Sequence, residues 1–139
     1  MKNKIIKSLV AGIIATAAMT IIMYVAPFMG LPKMNPAEML SSMMNIPQLL
    51  GWIMHFMIGI VFGIAYSFLL IKPFRKITNA ITKGFIFGMI VFVFAQINMA
   101  LMGMMLNIPS IEGDMLLMMV GSIIGHVVFG IVISLLIKE

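Results

Sequence analysis

The chain has no cysteine, a single tryptophan, two histidines and only four acidic residues among its 139. Without thiols it has no disulfides, no thiolate metal sites and no cysteine nucleophile. Redox compartment stays open, because a chain lacking thiols suits any. Charge is scarce too: Asp, Glu, Lys and Arg supply 9% of residues, against 63% hydrophobic. Soluble domains carry about 25% charged residues, so this chain has too few polar groups to cover a water-facing surface. The missing charge is also unevenly missing, since the long apolar runs hold no acidic residue at all.

What is present is four such runs, at roughly 5–29, 48–71, 81–106 and 115–137. A helix needs about 20 apolar residues to cross a hydrocarbon core of about 30 Å, and each run is long enough. Backbone groups in lipid must pair within their own segment, so the runs are expected to be helical. The first follows Lys2 and Lys4, as a secretory signal would. It is too long for a signal h-region of about 7–15 residues and is expected to remain in place.

The formal charge is +5, which would suit nucleic acid if the basic residues formed a stripe with interleaved aromatics. They lie instead at the ends of the apolar runs. Lys2, Lys4, Lys7, Lys72, Arg75, Lys76, Lys83 and Lys138 fall on one side of the expected bilayer. Lys33, Glu38, Glu112 and Asp114 fall on the other. The positive-inside rule then puts both termini in the cytoplasm. Between the first two runs, Asn35, Pro36 and Glu38 suit the start of a short interfacial helix, and an ordered loop is the alternative. Residues 107–114 read as a turn into the last run.

The sequence also reads as one helical hairpin written twice, over 1–74 and 75–139. Gly51-x3-His55-x3-Gly59-Ile60-Val61 matches Ser122-x3-His126-x3-Gly130-Ile131-Val132, 71 residues later. Gly63 and Ser134 keep that offset, while Gly12 pairs with Gly84 and Thr16 with Gly88 at an offset of 72. Such a duplication predicts two parallel repeats related by an axis along the membrane normal. Small residues every four positions let helix backbones approach closely in lipid. Gly12, Thr16, Gly51, Gly59, Gly84, Gly88, Ser122 and Gly130 are therefore the expected helix-packing positions, with Gly121 and Gly125 forming a second stripe.

His55 and His126 are the leading candidates for a binding site, because ionisable groups inside a membrane usually face protein or water. Each shares a helix face with its small neighbours at i±4. Those neighbours admit either a packed helix, leaving a neutral hydrogen-bonded pair, or the edge of a haem held by two axial imidazoles. The 18 methionines add a third reading, since thioethers with imidazole suit Cu(I). Met39/Met43 and Met115/Met119 have the i,i+4 spacing that puts two sulfurs on one face. Methionine is equally an adaptable core filler. Thr16, Thr20, Tyr24, Tyr66, Gln96, Asn98, Ser122 and Ser134 read as hydrogen-bonding groups between helices, or as the lining of a small polar cavity.

No phosphate loop, carboxylate pair or nucleophile elbow occurs, and no enzymatic activity is expected. With its four spans, its length and Gly51-x3-His55-x3-Gly59, the chain resembles small uncharacterised bacterial four-helix membrane proteins. Span four departs from that motif at Ser122. The resemblance implies a bacterial cytoplasmic membrane and no established activity. The expectation is an all-α integral membrane four-helix bundle with lipid, further copies or other membrane subunits as partners, and no nucleic acid. It would serve as a non-enzymatic accessory or small-ligand-binding module without a cofactor; haem b and copper are the alternatives.

Overall fold

A computed structural model describes residues 2–106 and 114–138. In chain order these form α1 (Lys2–Val25) with a 3-10 turn (Ala26–Met29), then α2 (Pro36–Met44) and α3 (Gln48–Ala65). A π-helical turn (Tyr66–Leu70) and a 3-10 turn (Pro73–Lys76) lead to α4 (Ala80–Leu106) and α5 (Met115–Leu136). There is no strand among the described residues. Among the described residues, four helical stretches are long and apolar enough to cross a membrane: Lys2–Met29, Gln48–Leu70, Ala80–Met105 and Met115–Leu136.

Local chemistry accounts for the ends. Pro27 lacks the N–H that would continue α1, and Gly30 closes the turn at φ 84°, where only glycine sits without strain. No proline interrupts α4, which runs on to Leu106. The segment after Gly30, for which helix and loop were both open, is a helix: the Asn35 side chain accepts from the Ala37 and Glu38 amides, with Pro36 in the first turn. Asp114 caps α5 in the same way, accepting from Leu116 and Leu117. Of the turn read over 107–114, residues 107–113, Glu112 among them, lie outside the described residues.

Packing follows the small residues. α1 lies against α3 and α5, α4 lies against α5, and α2 covers the start of α3. Along α1 and α3, Gly12 meets Ile60 and the Gly59 carbonyl, Thr16 meets Gly59, and Gly63 meets the Ser8 carbonyl. Along α4 and α5, Gly84 meets Ile131 and the Gly130 carbonyl, Gly88 meets the His126 carbonyl and Val127, and Ser134 donates to the Ala80 carbonyl at 2.8 Å. At Gly12, Gly63, Gly84 and Gly88 a Cβ would strike backbone, and at Gly59 the Thr16 side chain, so these positions set how closely the helices approach. Gly51 differs. It was expected at a seam between spans, and it packs instead on Ala37 and Ser41 of α2.

The core is built by Ala11, Ala15, Met19 and Met23 of α1 against Phe129 and Ile133 of α5, and extends through Tyr66, Phe87 and Val91. α3 and the π-helical turn after it are joined to α4 by rings: Phe62 meets Phe94 edge-on at 5.5 Å, and Tyr66 lies 4.9 Å from Phe87. Aromatic pairs of this kind add about 0.5–1.5 kcal/mol beyond their buried area.

Candidate functional site

Both histidines lie in the bundle at the level of residues 19–23 of α1. His55 reaches Thr20 on α1. Met19 and Met23 pack on Gly125, the residue before His126. Thr20 lies between Met19 and Met23 on α1, which puts the two histidines at one level of the bundle.

Hydrogen-bond bookkeeping fixes where their protons sit. Thr20 donates its only hydroxyl hydrogen to the Thr16 carbonyl at 2.8 Å. Its contact with His55 Nε2 at 3.2 Å therefore requires the ring to donate, so His55 carries its proton on Nε2. His126 Nδ1 lies 2.7 Å from the Ser122 carbonyl, which can only accept, so this ring carries its proton on Nδ1. The pair holds opposite tautomers. Each keeps one lone-pair nitrogen, Nδ1 of His55 and Nε2 of His126, with no hydrogen bond to another described residue.

The surroundings of the two rings differ. His55 is buried, with Trp52 6.2 Å away edge-on and Phe56 at 6.0 Å. Trp52 stacks in turn on Tyr24, whose hydroxyl accepts from Asn35 at 3.4 Å. His126 is half-buried and meets Phe92 edge-on at 5.8 Å. Phe92 holds on α4 the place that Thr20 holds on α1 under the 72-residue offset. One ring is thus fixed by a hydroxyl on the neighbouring helix, the other by its own helix and an aromatic edge.

Beside His55 the space next to its flanking glycines, Gly59 and Gly51, is taken by the Thr16 side chain and the Ala37 carbonyl, and beside His126 the space next to Gly130 by the backbone of Gly84 and Gly88. Ser122 supplies its carbonyl to His126, with its hydroxyl 3.4 Å from the same nitrogen. Soft ligands are closer than the i,i+4 pairs suggested. Met34 lies on Gly121 and Met23 on Gly125, both nearly fully buried, whereas Met115 and Met119 are exposed. Among the described residues no group of three or more His, Asp or Glu side chains is placed to hold a metal ion.

The other polar residues divide. Ser8 donates to the Lys4 carbonyl, so the short Ser8–Ser67 contact is made by the Ser67 hydrogen. Tyr66 donates to Ser134 at 3.3 Å, and Ser134 to Ala80, which ties the π-helical turn after α3 through α5 to α4. Tyr66 and Ser134 were expected to bond between helices, but the relay joins residues far apart in the chain, and spacing does not say which partners meet. Gln96 is half-buried, while Asn98 is exposed and bonds the Phe94 carbonyl of its own helix; neither joins the histidines.

The model of a family of unknown function, DUF6789, matches residues 2–139. The chain belongs to that family. No curated protein and no solved structure matches it. The family match spans both histidines, the glycine seams and the basic end.

Proposed function

We propose that this DUF6789 member is a non-enzymatic membrane module that binds a small ligand, or a group of a partner subunit, at the histidine pair. Supporting this reading are two imidazoles that each donate one N–H to the protein and leave the other ring nitrogen without a hydrogen bond to a described residue. Two such acceptors at one level of an apolar bundle suit a ligand carrying O–H or N–H donors. A second reading, a Cu(I) site, draws on the buried Met23 and Met34 against the α5 stripe beside His126.

In this proposal the four apolar helices span a bacterial cytoplasmic membrane with both termini inside, as the gathering of lysine and arginine favours. The two hairpins are parallel repeats. Support comes from the seams: Gly12 on Ile60 and Gly59 corresponds to Gly84 on Ile131 and Gly130, and Gly63 on Ser8 corresponds to Ser134 on Ala80. The repeats differ after α1, where Pro27 has no counterpart in α4.

The test is native mass spectrometry and metal analysis of protein extracted with its surrounding lipid, for wild type and for His55→Leu and His126→Leu. A small molecule or copper retained by wild type and lost from both variants supports the site and separates the two readings. Identical adduct and metal content in all three, with the variants still folded by circular dichroism, overturns it.

A further inference from the structure

We propose a second site, for a phosphate group, at the end of the bundle where the basic residues gather. A pocket of about 260 Å³ opens there between the π-helical turn, the start of α4 and the end of α5. That is several times the roughly 30 Å³ which one water occupies in the liquid. Lys83, Lys138 and Thr78 line it together with Tyr66 and Ser134, and Ile137 forms an apolar wall.

The donors sort themselves. Tyr66 and Ser134 are already engaged, in the relay to the Ala80 carbonyl, so they make a fixed floor. The Lys83 and Lys138 ammonium groups and the Thr78 hydroxyl have no hydrogen bond or ion pair to another described residue. Glu38 and Asp114 lie at the other end of the bundle, and Glu139, which follows Lys138 in the chain, lies outside the described residues. The first amides of α4 are capped by Asn79, so the site draws on side-chain cations rather than on the helix end. Two cations and a hydroxyl around a pocket with an apolar wall suit a phosphate attached to an apolar body. Its source is either an anionic lipid headgroup or a free phosphorylated compound. The lipid source rests on the membrane-spanning reading given above.

The other hairpin makes the contrast. At the matching offsets, Ala11 stands for Lys83, Ser67 for Lys138 and Gly63 for Ser134. There Ala11 is buried, Gly63 sits on the Ser8 carbonyl, and the Ser8–Ser67 pair closes the space. Only the second half has opened this corner and set lysines around it.

The experiment uses the full chain in phosphatidylcholine nanodiscs doped with phosphatidylglycerol, with lipid retention read by native mass spectrometry. Lys83→Gln with Lys138→Gln is compared with Lys2→Gln with Lys7→Gln, a pair that removes equal charge from the same end. Retention of phosphatidylglycerol is expected to fall about tenfold or more in the first pair, and to stay within about twofold of wild type in the second. Lys83→Arg with Lys138→Arg should restore it, which separates loss of the site from loss of fold. Inorganic phosphate and glycerol phosphate, titrated in neutral detergent, form the other arm. Binding there that depends on Lys83 and Lys138 supports the site with a free phosphate as its source. Equal losses from both double variants, or no lysine-dependent binding in either arm, overturn the proposal. Partition of the chain into the aqueous phase on detergent phase separation would remove the membrane reading alone and leave the phosphate arm to decide the site.

Discussion

Replacing Gly130 by alanine tests the glycine seams most directly. The added methyl would meet the Gly84 carbonyl oxygen and the Gly88 amide nitrogen, with Gly88 Cα at 2.7 Å. All three are backbone atoms and cannot rotate aside, so α4 and α5 must separate. Overpacking of this kind costs about 1–3 kcal/mol. Separation also stretches the Ser134–Ala80 hydrogen bond across the same seam, 2.8 Å at present. A bond of that kind between membrane helices contributes about 0.6–2 kcal/mol. Better helix propensity returns up to about 1 kcal/mol. The net expectation is a loss of roughly 1–3 kcal/mol. Gly103→Ala is the matched control, because nothing lies within 4 Å of a Cβ there. It carries the same propensity gain without the collision and should be neutral or slightly stabilising. Since the chain has no cysteine, single thiols placed at the exposed Ile81 and Leu135 can carry a dye pair. Energy transfer between them, followed through a titration of mild detergent with SDS, reports α4–α5 dissociation. Equal midpoints for wild type and Gly130→Ala, or an equal loss in Gly103→Ala, would refute the account of the seams.

Three further outcomes follow from the same contacts. Thr20→Val removes the acceptor for His55 Nε2–H while keeping side-chain volume; nitrogen NMR of the ring should show the fixed tautomer giving way to a mixture, with His126 unchanged. Ser134→Ala breaks the relay from Tyr66 to Ala80 and should lower stability by about 1 kcal/mol, read by the same SDS titration. Single cysteines at Lys33 and Lys76 should react with an impermeant maleimide from opposite faces of sealed vesicles, and labelling of both from one face would refute the orientation.

The helical fold was legible in the sequence because each element is dictated locally. Run length, absent acids and the Asn35–Pro36–Glu38 start are chain-local features, and no distant contact is needed to interpret them. The glycine spacing is a feature of the chain alone, since a missing side chain every fourth residue is a surface whatever meets it. What met Gly51 was not legible, because α2 reaches it only after the chain has folded back. The histidines were legible as candidates but not as a site.

Sequence by itself thus determined the helices, their apolar length, the one-sided charge and the pair of matching His motifs. The tertiary structure alone decided which hydroxyl or carbonyl each imidazole meets, and so which nitrogen keeps its lone pair. Only it decided that Lys83 and Lys138 border one pocket while their counterparts are sealed away. Proton positions and cavities depend on distances between residues far apart in the chain, and a one-dimensional pattern carries no such distances.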